Sequence, residues 1–324
     1  MNSNPIIIIW GEPNSVFSEI LIKSLKIYKS KKPIVLIGSS ELLTKQIKKL
    51  KIKFNSKIMN LINDDLKGLK KNKINLIDVH YKFNNPFEEI SSKSNKYILK
   101  CFEKAYKIIK KNKISGLING PVSKKYFLKS NYLGITEFLS HRFKIRDNYA
   151  MLIYNKALAV SPITTHFPIE KVSKKITKKL IITKLILINK FYRNFFSFKP
   201  KIAVCGLNPH CENFFKKKSE EAKVIIPAIN YLKKKKLNIK GPFAADTIFL
   251  KNLRDKYDVV VGMYHDQVLT PIKTIYGFNA INITIGLPFV RISPDHGPNF
   301  SMIGKNRSNP QSLINSIQFL NRIN

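Results

Sequence analysis

The chain is poor in arginine, acid and cysteine, and each shortage narrows what it can be. Of its 324 residues 58 are basic and 20 acidic, for a formal charge of +38, yet only seven cations are arginine: Arg142, Arg146, Arg193, Arg254, Arg291, Arg307 and Arg322. Such a charge by itself points to a polyanion partner such as nucleic acid. Readers of phosphates and base edges favour arginine forks in local patches, whereas the 51 lysines here run through every segment beside many isoleucines and asparagines. All three residue types have A/T-rich codons, so biased coding accounts for the excess, and a nucleic-acid partner is not expected. The three cysteines, Cys101, Cys205 and Cys211, form no CxxC pair and are odd in number. No disulfide framework is expected, and reduced thiols in a cytoplasmic protein fit better.

Long apolar runs and the common catalytic fingerprints are missing too. The longest apolar stretch, Leu180 to Phe196, is interrupted by Lys184, Lys190 and Arg193, too charged for a membrane span. Met1 to Trp10 has neither a basic leader nor a small-residue cleavage site, so it reads as a first strand of a soluble chain. Neither GxGxxG nor GxxxxGK[ST] occurs, which excludes a standard Rossmann dinucleotide loop and a P-loop. Without GxSxG around Ser123 or Ser140, serine hydrolysis has no support, and there is no HExxH, no Cys/His knuckle and no fixed-period repeat.

What remains is a folded α/β chain. With 44% hydrophobic residues and this length it can bury a large core, in two ordinary domains or one large α/β unit. Pro5 to Trp10, broken by Gly11-Glu12-Pro13 ahead of a helical pattern near Val16, reads strand, turn, helix; Pro33 to Ile37 with Gly38-Ser39-Ser40 repeats it. Further strands are expected at Ile74 to Val79, Gly116 to Asn119, Ala157 to Ser161, Ile202 to Cys205, Val259 to Met263 and Ala280 to Ile285. Helices are expected at Ser94 to Lys111, Val172 to Phe195 and Glu220 to Lys235.

Several of these strands run into residues that carry chemistry. His166 closes Ser161-Pro162-Ile163-Thr164-Thr165-His166, His210 closes Gly206-Leu207-Asn208-Pro209-His210, and His265 sits in Met263-Tyr264-His265-Asp266-Gln267. Strand-end loops of an α/β sheet are where ligands bind, and three histidines gathered there suit a divalent ion with a position open for substrate. Asp266 beside His265, and Asp246 in Gly241 to Thr247, could orient imidazoles or accept a proton. From spacing alone three separately bonded loop or core histidines account for the pattern as well, and Cys211 reads as a soft ligand or a plain thiol. A cationic set follows, in which Lys273, Asn282 and Arg291 are spaced by nine residues twice. An arginine fork with a lysine suits phosphate or carboxylate; among 51 lysines Lys273 also reads as a solvated charge, whereas Arg291 is one of few arginines.

Taken together the blocks resemble the 4-hydroxythreonine-4-phosphate dehydrogenase family, NAD-dependent enzymes of pyridoxine 5′-phosphate synthesis. The resemblance is carried by Gly11-Glu12-Pro13, Asn119 to Lys124, Gly134 to Phe138, Thr164-Thr165-His166, Cys205 to His210, Gly241 to Thr247, Met263 to Gln267, Gly286 to Phe289 and Asp295-His296-Gly297, in the family's order over almost the whole chain. It implies a two-domain α/β/α sandwich of the isopropylmalate-dehydrogenase kind with an inter-domain cleft. Residues 1–130 with 286–324 would form the first domain, and 131–285 the second, with the metal ligands and dimer interface. It implies a homodimer with a shared active site, NAD, and a divalent ion (Zn, Mg or Co) on His166, His210 and His265. Thr136, Lys273, Asn282 and Arg291 match substrate-binding positions. One position departs: the family's Gly-His-Thr-Glu is Gly134-Ile135-Thr136-Glu137 here, and an apolar Ile135 cannot replace an imidazole donor. The implied reaction oxidises 4-phosphooxy-L-threonine to a β-keto acid that loses CO₂, with Asp246 or Asp266 as candidate proton relay.

Overall fold

A computed structural model of the chain describes residues 4–54, 58–61, 65–71, 73–128, 132, 134–145, 148–211, 218–277, 279–294 and 297–323. In chain order its principal elements begin with β1 (Ile6–Ile9), α1 (Phe17–Ile27), β2 (Ile34–Gly38), α2 (Ser40–Lys49), β3 (Ile58–Asn60), β4 (Ile74–Asp78), α3 (Asn95–Lys111), β5 (Gly116–Asn119) and α4 (Ile135–Arg142). They continue with β6 (Ala150–Tyr154), β7 (Ala159–Pro162), α5 (Ile169–Lys175), α6 (Lys178–Phe196), β8 (Ile202–Cys205), α7 (Ile226–Lys234) and β9 (Ile239–Phe243). Last come α8 (Lys251–Arg254), β10 (Val259–Gly262), α9 (His265–Tyr276), β11 (Ile281–Ile285), β12 (Arg291–Pro294) and α10 (Gln311–Arg322). The α/β class expected from the alternating pattern is the class observed. No described helix is long and apolar enough to cross a membrane.

Two compact units divide the chain, Met1–Leu139 with Phe289–Asn324 and Ser140–Pro288. In the first, the strand order is β3-β4-β2-β1-β5-β12, and every pairing is parallel. Parallel strands covered on both faces read as unbroken apolar runs, and the four isoleucines of β1 are fully buried. Burying each contributes about 1.5–3 kcal/mol before chain entropy is counted. Helix α3 packs on β1 and β2, α10 on β12, and α1 touches both α2 and α10. The buried positions of α3, Tyr97, Ile98, Cys101, Phe102, Ala105 and Ile108, recur at helical spacing and leave its lysines to solvent.

The second unit has the order β11-β6-β7-β10-β8-β9. Its pairings are antiparallel from β11 to β7 and parallel from β7 to β9. Met151, Val160, Ala203, Cys205 and Val260 join Val268, Leu269 and Ile272 of α9 in one apolar cluster. By the pleat, the alternate residues Leu152, Val204, Val259 and Val261 serve the other face. The helix expected over Val172 to Phe195 is two helices, α5 and α6. Thr177 leaves the helical conformation and its side chain accepts the Leu180 amide at 3.1 Å, starting a new helix there. Both halves have apolar residues at helical spacing, so periodicity alone runs across the break.

Candidate active site

In an α/β sheet, side chains that follow the carboxyl ends of neighbouring parallel strands emerge on one edge, most openly where the strand order reverses. In the second unit the chain visits β7, β8 and β9 and then returns to insert β10 between β7 and β8. The residues leaving these strand ends are His166 after β7, His210 after β8, Asp246 after β9 and His265 after β10. Sequence positions up to a hundred residues apart are thus delivered to one edge.

Two of the three histidines are neighbours: the rings of His166 and His265 have centroids 5.7 Å apart. Two imidazoles bound at about 2.1 Å to one tetrahedral ion have centroids roughly 5–6 Å apart, so the spacing fits a shared ion. His265 Nδ1 lies 2.6 Å from Asp266 Oδ1. With Nδ1–H donating to that carboxylate, Nε2 carries the lone pair a metal needs. His210 Nδ1 lies 3.5 Å from Asp246 Oδ2, a looser ion-pair contact between two exposed side chains. Among the described residues, however, no three His, Cys, Asp or Glu side chains gather closely enough to hold an ion. A single chain pairs His166 with His265 and leaves His210 on its own strand end.

His210 and Cys211 both take left-handed backbone angles, φ 57° each. For residues with a side chain this conformation costs about 1–3 kcal/mol and persists where the surroundings impose it. The imposing groups are visible. Glu221, fully buried, accepts the Leu207 and Asn208 amides on Oε1 at 2.8 Å each and the Asn208 side chain on Oε2 at 2.8 Å. Burial raises its pKa, but the hydrogen bonds from Asn208 and Leu207 outweigh it and hold the carboxyl below its ordinary value. Glu221 is not among the residues the sequence singles out, since nothing there distinguishes it from the other acidic residues.

Of the remaining candidates in this unit, Lys273 is exposed on α9 and Asn282 half-buried on β11. The Asn282 Oδ1 is buried with no hydrogen bond from the described residues, an acceptor still to be matched. Cys211 is half-buried and reduced, its thiol pKa raised by burial.

The first unit holds the other candidates. Its strand order reverses between β1 and β5, and the turns that follow these strands interlock. A Cβ on Gly120 would stand 1.9 Å from the Trp10 carbonyl oxygen, and one on Gly11, at φ 80°, would stand 2.4 Å from the Pro121 oxygen. Glu12 donates its amide to that same oxygen at 2.8 Å. Arg291 opens β12, which pairs with β5, and is buried at 2% exposure. Its Nε donates to Asn119 Oδ1 at 2.6 Å and an NH group to Thr136 Oγ1 at 3.2 Å. Burial pushes the guanidinium pKa down to about 9, while the Glu137 carboxylate pulls it up. Thr136 is buried in α4 and Ile135, beside it, is half-buried. Thr136 and Arg291, 155 positions apart, are therefore in contact. Asp295 and His296 lie outside the described residues.

The family described as pyridoxal phosphate biosynthetic protein PdxA matches residues 29–320. Over 313 residues the chain is 38% identical to the 4-hydroxythreonine-4-phosphate dehydrogenase of Sulfurihydrogenibium sp. strain YO3AOP1, covering 95% of this chain and 94% of that one. Identity to the Aquifex aeolicus protein of the same name is 32% over 312 residues, with 96% and 95% covered. The crystal structure of 4-hydroxythreonine-4-phosphate dehydrogenase from Klebsiella pneumoniae superimposes with a TM-score of 0.83 at 29% identity, covering 98% of each chain.

Proposed function

Since the chain belongs to the pyridoxal phosphate biosynthetic protein PdxA family, we propose that it oxidises the C3 hydroxyl of 4-phosphooxy-L-threonine by hydride transfer to NAD⁺. The products are NADH, a proton and 2-amino-3-oxo-4-(phosphooxy)butanoate, a β-keto acid that readily loses CO₂ to give 3-amino-2-oxopropyl phosphate. The observation that carries the reading is the His166 and His265 pair, rings 5.7 Å apart with Asp266 on Nδ1 of the second.

His166, His265 and His210 would hold a divalent ion. Such an ion, when bound, supplies positive charge that lowers the pKa of a substrate hydroxyl. Asp266 would fix the His265 tautomer, and we assign to it or to Asp246 the passage of the hydroxyl proton onward to water. In the first unit, Arg291 and Thr136 offer donors to a phosphate or carboxylate, an arginine already desolvated and so strongly responsive to an anion. Lys273 adds a second cation, and the bare Oδ1 of Asn282 suits a substrate N–H or O–H. Because His210 does not join the other two in a single chain, we place its contribution in a homodimer whose sites use residues of both subunits. Three free cysteines support a reducing, cytoplasmic setting.

The test is the purified protein with 4-phosphooxy-L-threonine, NAD⁺ and Zn²⁺, Mg²⁺ or Co²⁺, followed by NADH absorbance. Metal-dependent turnover that His265→Ala abolishes is the expected result; turnover unchanged in that variant overturns the metal reading. Ile135 favours a second reading, a different phosphorylated hydroxy acid, since an apolar side chain stands where the resemblance expects an imidazole. Ile135→His should improve kcat/KM for 4-phosphooxy-L-threonine under the first reading. Under the second it should not, and the wild-type chain should turn over another phosphorylated hydroxy acid faster.

A further inference from the structure

The loops that carry the three histidines are tied together at the main chain of Met263. Thr164, two residues before His166, donates its hydroxyl to the Met263 carbonyl at 2.7 Å and its amide to the same oxygen at 3.2 Å. The Met263 amide donates to Gln267 Oε1 at 2.6 Å. Gln267 lies two residues beyond His265 in α9, and its carboxamide also reaches the loop of His210: Nε2 donates to the Gly206 carbonyl at 2.8 Å. Gly206 in turn donates its amide to the Phe243 carbonyl, at the strand end that leads to Asp246.

The chemistry of this tie is specific to glutamine. One buried planar group must accept from one loop and donate to another, so a carboxylate lacks the donor, a thioether has no donor and only a weak acceptor, and asparagine is one methylene short. The surroundings make room for it: a Cβ on Gly262 would stand 2.8 Å from Gln267 Oε1 and 2.5 Å from Val268 Cγ1.

We propose that Gln267 is a positioning residue that locks the His210 loop to the His265 loop, so that displacement of either is felt by the other. Its value to the reaction rests on the metal reading above; the tie itself does not. Glu221 complements it by holding the amides of Leu207 and Asn208, the next two residues of the same loop.

The experiment compares the metal-free wild-type chain with Gln267→Met and Thr164→Val by amide hydrogen exchange, then titrates each with Co²⁺ and follows its visible absorption. Gln267→Met should speed exchange in residues 206–211 and 262–265 together, whereas Thr164→Val should leave 206–211 unchanged. The Co²⁺ dissociation constant of Gln267→Met should rise about tenfold or more, the usual consequence of losing a group that orients metal ligands. Wild-type exchange in 206–211, or equally faster exchange throughout residues 140–288, overturns the tie. Coupled exchange with unaltered Co²⁺ affinity overturns its role in the site. A wild-type chain that takes up no Co²⁺ refutes the metal reading, and the exchange data still decide the tie. If Gln267→Met does not fold, Gln267→Asn is read by the same criteria.

Discussion

Arg291 shows how one side chain can be both rare in the sequence and held in place by the fold. Its guanidinium is buried and spends donors on Asn119 and Thr136, so its geometry is set before any anion arrives. Charge-assisted hydrogen bonds contribute about 1.5–3 kcal/mol each. Arg291→Gln is accordingly expected to raise KM for the phosphorylated substrate roughly 10- to 100-fold with a smaller change in kcat; steady-state kinetics showing an unchanged KM would remove Arg291 from anion binding. Glu12 makes a different residue-scale argument. It is fully buried, and burial raises its pKa, opposed by hydrogen bonds from Ser94 and the Asn14 amide. A folded pKa above the unfolded one means the carboxyl costs nothing below the unfolded value and destabilises increasingly as pH rises through the folded value. Glu12→Gln should therefore gain stability relative to wild type as pH rises above the ordinary carboxylate range. Paired thermal melts with the opposite trend would show that the carboxylate is stabilised where it sits.

At the scale of elements, the residues that are legible in the sequence are those whose local pattern and tertiary role agree. Gly116 to Asn119 and Ile202 to Cys205 are strands with the expected bounds, Val259–Gly262 ends one residue before expectation, and Ile34–Gly38 is shifted by one residue at each end. All are short apolar runs closed by turn residues. Of the strands not foreseen, β3 is three residues, half-buried or exposed, in a Lys- and Asn-rich stretch, β9 contains Gly241-Pro242 on an edge and β12 opens on an arginine, whereas β6, Ala150–Tyr154, is a buried apolar run as strong as those expected. The candidate histidines can be named because each follows a strand. Their spacing cannot show which of them adjoin, since that depends on the strand order, in which β10 enters between β7 and β8, and on the course of the loops that follow. The contacts of Gln267 and Glu221 are illegible for the same reason: each bonds across 61 or about 14 positions to backbone atoms that no side-chain pattern encodes. The interlocked turns after β1 and β5 yield a prediction at this scale. Gly120→Ala would put a methyl carbon 1.9 Å from the Trp10 carbonyl oxygen, a backbone neighbour that cannot rotate away. A loss of about 1–3 kcal/mol or more is expected, read as a lower urea midpoint with unchanged slope; a midpoint equal to wild type would mean that the turns are not so tightly fitted.

Over the whole molecule, charge of one sign prevails. Twenty acids cannot neutralise 58 cations, and lysine pairs such as Lys23 with Glu19 and Lys251 with Asp255 are local, four residues apart. Cations exceed acids by 38, so most have no acid of their own, and self-repulsion weakens the folded state while it keeps separate copies apart. That repulsion acts over distances comparable to the screening length, about 30 Å at 0.01 M salt and about 8 Å at physiological ionic strength. Raising KCl across that range should raise Tm steadily, with most of the gain at the low end, because screening removes repulsion faster than it weakens the few exposed pairs. The same cations should hold duplex DNA weakly at low salt and release it near physiological salt, without sequence preference, as scattered lysines do. Differential scanning calorimetry and a fluorescence-anisotropy titration across the same salt series check both. A Tm that is flat or falls with salt would show that the lysines are compensated by local structure, and DNA binding that survives physiological salt would show a concentrated face rather than a diffuse excess.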